Sequence, residues 1–220
     1  MNVPSSPAGA RTAAPERVVR HRLTDRFYHW IMAVSVLTLS VTAFLPIVGI
    51  KFDWVTIHWI AGVVLSAAVV FHIVRALAAQ DWRAMAVGPK ALAEGVAELE
   101  ALAAGAPPPR AAKYPIAQRL YHLAIAVLVL ITMASGGLML AKIDTPLWRR
   151  DPYFLADQDW GWVYLAHGYA AMAILSLILV HIYFGLRPDK WWITRSMIRG
   201  WITRREYLDH HDPARWSPER

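Results

Sequence analysis

Nine histidines and no cysteine set the chemistry open to this 220-residue chain. Four of the histidines repeat one spacing: His58 and His72 enclose thirteen residues, and so do His167 and His181. Fourteen positions on an α-helix turn through about 1400°, roughly 40° short of four full turns, and rise about 21 Å. Each couple therefore lies on nearly one helix face, with one imidazole toward each side of a bilayer. Two more recur in matching strings, Asp25-Arg26-Phe27-Tyr28-His29 and Gln118-Arg119-Leu120-Tyr121-His122, so the chain reads as one helix pair repeated in the same orientation. Imidazoles at two depths are what two stacked porphyrins require. Iron with both axial positions filled by histidine has no open site for oxygen chemistry, and the role it implies is electron relay. Without cysteine there is no disulfide framework, thiolate zinc site, cysteine-ligated iron-sulfur cluster, CxxCH haem attachment or thiol nucleophile. A lone intramembrane histidine is commonly a packing residue or a proton-relay member. Six at matched depths, four of them in a duplicated H-x13-H, call for a common ligand.

The elements that position these residues must be membrane spans. The composition is 56% apolar and only 18% charged, against about 45–50% and 25% for an ordinary soluble domain. Runs free of Asp, Glu, Lys and Arg cover Phe27–Ile50, Trp54–Val74, Leu120–Ala141 and Trp160–Leu186. Each exceeds the roughly 20 residues needed to cross a hydrocarbon core. Spans are expected over about 27–50, 54–77, 118–141 and 160–186, giving an all-α, integral membrane four-helix protein. Gly136-Gly137 inside the third run fits a place where a helix meets a neighbour or a flat ligand closely. The 23 Lys and Arg residues fall nineteen on the side of the termini and the second loop and four on the other side. By the positive-inside rule both termini are cytoplasmic, in a multi-pass protein of a bacterial inner membrane. The net charge of +7 is thus a topology signal. It forms no basic face, and no nucleic-acid partner is expected.

Topology sorts the histidines by depth. His58 and His167 begin spans two and four, near the outer face, and form the only outer pair. His29, His122, His72 and His181 lie near the cytoplasmic face, where spacing alone permits His72 with His181, His29 with His181, or other pairings. His21, His210 and His211 fall outside the spans and read as surface residues, or contacts to haem propionates or a partner. Residues 1–16 read as a disordered arm, 17–190 as the four-span di-haem domain, and 191–220 as a cytoplasmic interfacial tail. Lys90–Ala104 is helix-like and closed by Pro107-Pro108-Pro109. Trp191–Tyr207 interleaves Trp191, Ile198, Trp201 and Ile202 with arginines, as an amphipathic helix in the headgroup region or a solvated basic tail would.

With these features in place, the chain resembles the cytochrome b (gamma) subunit of respiratory formate dehydrogenases, within the wider group that includes cytochrome b subunits of nickel-iron hydrogenases. The markers are Asp25-Arg26 before His29-Trp30, His58 with Gly62, Lys113-Tyr114 with Gln118, His167 with His181, and Arg204-Arg205 followed by His210-His211-Asp212-Pro213-Ala214-Arg215-Trp216. The tail favours the formate dehydrogenase branch. The resemblance implies a four-helix bundle, an outer haem b on His58 and His167, and an inner haem b on His29 and His181. His72 and His122 do not match the family's ligands, so packing, a proton path or the quinone pocket are the roles it implies for them; His72 stays the alternative inner ligand on spacing, and His122 and Gln118 are candidates for the quinone pocket. Arg26, Arg119 and Arg187 stand at the depth of haem propionates, where positive-inside anchoring also explains them. The implied partners are membrane lipid, an iron-sulfur subunit and a periplasmic catalytic subunit with molybdenum or tungsten, in a complex open to higher oligomerisation. Electrons would reach a quinone near the cytoplasmic face. In place of the family's asparagine after Lys-Tyr stands Pro115, which has no side-chain donor and no N–H. A hydrogenase-type cytochrome b and a haem-free proton-conducting anchor are the alternative functions; nothing in this chain binds formate.

Overall fold

The computed structural model describes residues 16–79, 82–107 and 109–218; residues 1–15, most of the expected N-terminal arm, lie outside them. Four long helices carry the apolar runs: α1 (Leu23–Phe44), α2 (Trp54–Ala79), α4 (Ile116–Met139) and α5 (Asp157–Leu186), with a shorter α3 (Pro89–Ala103) between the second and third. All four long helices are apolar enough to span a membrane. The fold is an all-α membrane helical bundle.

The ends of the helices follow local chemistry. The first span starts earlier and stops sooner than the charge-free run. The Arg22 N–H donates to Asp25 at 3.1 Å at its start. Pro46 follows the C-cap Leu45, and the chain turns at Gly49 with φ +89°. Proline cannot donate the next helical hydrogen bond, so residues 45–50 leave the helix although they are apolar. The fourth span starts three residues before Trp160, because Asp157 and Asp159 in its first turn complement the positive end of the helix. Pro115 is the N-cap of α4; its carbonyl accepts from Gln118 N at 3.0 Å and Arg119 N at 3.2 Å. A missing N–H is harmless there. α1 packs chiefly on α2, and α4 on α5, so each sequence repeat is one helix hairpin. α3 lies against the start of α4, where Gly95 faces Ile116: an added Cβ would come within 3.1 Å of that side chain.

The tail is not one continuous amphipathic helix. α6 (Trp191–Arg199) ends at Gly200, whose φ of +90° is left-handed, and the chain then forms β2 (Trp201–Thr203) and α7 (Arg204–His210). β2 pairs antiparallel with β1 (Arg17–Val19), with Val18 opposite Ile202. An L side chain at Gly200 would be strained and its Cβ would lie 3.0 Å from the His21 carbonyl. Ile202, Val18 and Tyr207 form a small buried core with Trp192 and Trp216 against it. We call this the capped end of the bundle; the loops after α1 and α4 mark the open end.

Candidate functional site

At the open end, α2 and α5 face His58 and His167 toward each other with ring centroids 6.3 Å apart and planes at 63°. Two metal–imidazole bonds of about 2 Å, with about 1 Å from each nitrogen to its ring centre, place such centroids about 6 Å apart. The gap thus fits one axially ligated metal. The neighbouring helices fix the tautomers. Thr42 Oγ1 has one proton, directed at the Thr38 carbonyl at 2.8 Å or the Leu39 carbonyl at 3.1 Å, so its oxygen accepts from His58 Nδ1–H at 2.8 Å. Ser135 Oγ donates to the Ile131 carbonyl at 2.6 Å and accepts from His167 Nδ1–H at 3.0 Å. With Nδ1 protonated, each Nε2 keeps its lone pair for a metal. Both hydroxyls are buried. Gly136 leaves room for the His167 ring, since a Cβ there would come within 3.1 Å of His167 Cε1.

Near the capped end the structure makes two pairs. His29 and His181, from α1 and α5, have centroids 6.4 Å apart at 57°. His72 and His122, from α2 and α4, have centroids 6.1 Å apart at 73°. No ring contact joins His72 to His181 among the described residues. Tyr28 lies 4.8 Å from the His72 ring and Tyr121 stacks 5.5 Å from the His181 ring. Among the described residues no group of three or more His, Cys, Asp or Glu could hold a bare metal ion. Two imidazoles would hold a metal only together with a ligand that brings further donors of its own. A porphyrin does so.

The other expected contacts are placed as follows. Arg26 donates to the Ile198 carbonyl of the tail, Arg119 donates to the Tyr114 carbonyl at 3.0 Å, and Arg187 pairs with Asp189 at 2.8 Å. All three guanidiniums thus have protein partners. The ion pair absorbs Arg187 into an exposed contact that holds the Asp189 carboxyl below its usual range. Gln118 is half-buried in the first turn of α4. His122 faces His72 rather than standing alone.

The histidines outside the spans are not all surface residues. His211 is 2% exposed and Arg20 3%. His211 Nδ1–H donates to the Ala112 carbonyl at 3.0 Å, which leaves Nε2 to accept from Arg20 Nη1 at 2.7 Å. Arg20 also reaches the Lys113 carbonyl and lies over the Trp192 and Trp216 rings. Burial, then the Arg20 charge, pushes His211 down to about 4; burial likewise lowers Arg20 to about 10. His210 stacks on Trp192 at 4.4 Å. His21 is held at about 3, by burial first and then by Arg20 and Lys113.

Thr42 and Ser135 are the site residues that motif reading passes over. Their signal is present: each follows the histidine of its repeat, His29 or His122, by thirteen positions. The family model for prokaryotic cytochrome b561 matches residues 20–200. Among curated proteins none matches the chain. A match over that share of the chain, on the four spans that carry the paired imidazoles, makes it a member of the prokaryotic cytochrome b561 family, membrane electron-transfer proteins that bind b-type haem.

Proposed function

We propose that this chain is the membrane subunit of a formate dehydrogenase, carrying electrons from a periplasmic iron-sulfur subunit to quinone near the cytoplasmic face of a bacterial inner membrane. The observation that carries it is the pair of bis-imidazole gaps, His58–His167 toward one end of the bundle and His29–His181 toward the other. These four residues would hold two haems b, which when bound supply one-electron transfer without an open coordination position. The chain's own part is positional. Thr42 and Ser135 orient the outer imidazoles, Gly136 gives one of them room, and the hairpins α1–α2 and α4–α5 set the two depths. The nineteen-to-four distribution of basic residues supports the cytoplasmic assignment of the capped end. An iron-sulfur subunit and a molybdenum- or tungsten-containing catalytic subunit are the partners this reading requires.

A hydrogenase-type subunit is the second reading, and Pro115 favours it. Where the formate dehydrogenase branch is expected to carry an asparagine after Lys-Tyr, Pro115 is here a helix N-cap without any donor. Copurification of the tagged chain from its own cells, followed by anaerobic addition of formate or of hydrogen, separates the two. Appearance of a b-type α band on adding formate to the oxidised protein supports the first reading. Reduction by hydrogen alone supports the second, and no α band with either donor or dithionite removes both.

A further inference from the structure

The short helix between the second and third spans carries an apolar stripe that the rest of the chain does not cover. At about 100° per residue, Leu92, Val96 and Leu99 fall within about 60° of one another on α3, and they are 51%, 54% and 67% exposed. Span side chains open to lipid are exposed to the same degree, 47% at Leu130 in α4 and 61% at Leu179 in α5. The other sides of α3 are occupied. Ala91 and Gly95, about a quarter turn from the stripe, are buried, and Gly95 lies against Ile116. Glu94, nearly opposite the stripe, is ion-paired at 2.5 Å with Arg215 of the tail, which also donates to the Arg110 carbonyl at 3.2 Å. A helix with this pattern turns its apolar side to an apolar medium.

Depth and direction identify that medium. Ile116 opens the third span, so α3, packed on it through Gly95, runs at the level where the span leaves the hydrocarbon. The Glu94–Arg215 pair turns the polar side of α3 toward the cap, which lies beyond the ends of the spans. The stripe on the opposite side therefore faces back along the bundle, into the bilayer. An amphipathic helix so placed lies in the interface with its apolar side chains among the acyl chains. Its charge does not favour an anionic surface, because Glu94, Glu98 and Glu100 outnumber Lys90; the stripe alone must hold it. We propose that α3 is seated in the leaflet at the capped end, with Leu92, Val96 and Leu99 inserted at the boundary of headgroups and acyl chains of zwitterionic and anionic lipid alike. Held by lipid on one side and by the tail on the other, the helix sets the height at which the connector 104–115 enters α4.

The chain has no cysteine, so single cysteines can be placed in the full-length protein and labelled with a nitroxide in phosphatidylcholine vesicles, with and without phosphatidylglycerol. Collisions with oxygen, which concentrates in lipid, and with a nickel chelate, which stays in water, are then measured at Leu92→Cys, Val96→Cys and Leu99→Cys. Leu130→Cys in the third span is the lipid reference and reports an intact bundle; Arg205→Cys in the exposed part of the tail is the water reference. The ratio of oxygen to nickel collisions is expected to be several-fold higher at the three stripe positions than at Arg205→Cys, or at Lys90→Cys on the polar side of α3, in both lipid compositions. Ratios equal to that of Arg205→Cys would leave the stripe in water and overturn the inference. Labels that meet neither collider would give the face to a partner subunit, and labels that broaden one another until diluted with unlabelled chain would give it to a second copy; either result overturns it. Insertion seen only with phosphatidylglycerol would refute its apolar basis. None of these outcomes depends on what reduces the protein, so the proposed function is tested separately.

Discussion

Replacing Thr42 by Val tests whether the outer imidazoles are oriented by helix hydroxyls. Valine keeps the shape of the side chain and removes only the oxygen that accepts from His58 Nδ1–H at 2.8 Å. Thr42 is 2% exposed, so water does not readily replace it. A buried donor left unsatisfied costs about 1–3 kcal/mol. At 1.4 kcal/mol per factor of ten, that is about 5- to 150-fold in haem affinity, within the range of about 10- to 100-fold seen when outer-shell partners of metal-bound histidine are removed. The lost hydrogen bond also makes the imidazole a weaker donor, which destabilises the ferric state more than the ferrous. For a one-electron couple about 59 mV corresponds to 1.4 kcal/mol, so the outer haem should move up by tens of millivolts. Transfer of haem to an excess of apomyoglobin measures the first quantity, and an anaerobic redox titration the second. Ser135→Ala should act in the same direction through His167. If Thr42→Val releases haem at the wild-type rate and the potentials stay in place, the hydroxyl does not orient the ligand and the tautomer argument fails.

Gly136→Ala should lower occupancy of the outer haem, because its Cβ would press on the His167 ring, whereas Gly62→Ala, with only a Leu39 methyl at 4.0 Å, should leave the spectrum unchanged. The cap should loosen in acid. His211 is depressed to about 4 from 6.5, so the unfolded tail binds the extra proton first; the stability this residue contributes is present above pH 6.5 and is lost as pH falls toward 4, by about 3 kcal/mol in all, as hydrogen exchange at Trp201–Thr203 would register. Gly200→Ala should destabilise the cap by about 1–2 kcal/mol through its left-handed backbone alone, measured by protease cleavage between α6 and α7 with the haem spectrum unaltered.

Much of this was readable from residue order, and the rest failed for definable reasons. The spans were legible because charge-free length is a one-dimensional property, and the spacing of His58, His72, His167 and His181 needs only helix geometry. Span ends were less so: Leu45–Ile50 is as apolar as the helix before it, and only the effect of Pro46 ends α1. The inner pairing was not legible from spacing, and only the resemblance implied His29 with His181, the rings the structure places 6.4 Å apart. His29, His72, His122 and His181 share one depth, and what sorts them is which helices are adjacent, a property of packing. The tail misled because its basic and apolar residues have the right composition for a surface helix, while one residue, Gly200, breaks that helix. His211 looked like a surface histidine for the same reason: its partner Arg20 stands 191 positions away, beyond any local pattern. The tail string His210–Trp216, which carried the resemblance to one branch of the family, supplies the Tyr207, His211 and Trp216 contacts of the cap.

That long separation has a consequence for biogenesis. β1 leaves the ribosome before the spans and must wait, unpaired, until all four have been made and β2 follows them. Its partner positions, from Arg17 with Thr203 to Val19 with Trp201, close a loop that contains nearly the whole protein, and such closures are late in folding. The Arg20–His211 contact then ties the first segment, the Ala111–Lys113 stretch and the tail in one place. A chain stopped between residues 187 and 200 would keep its four spans and still expose the edge of β1. The cap is therefore a seal that forms only after β2 has followed the fourth span, and quality-control proteases that recognise unpaired edges would have in it a reading of whether the tail has docked.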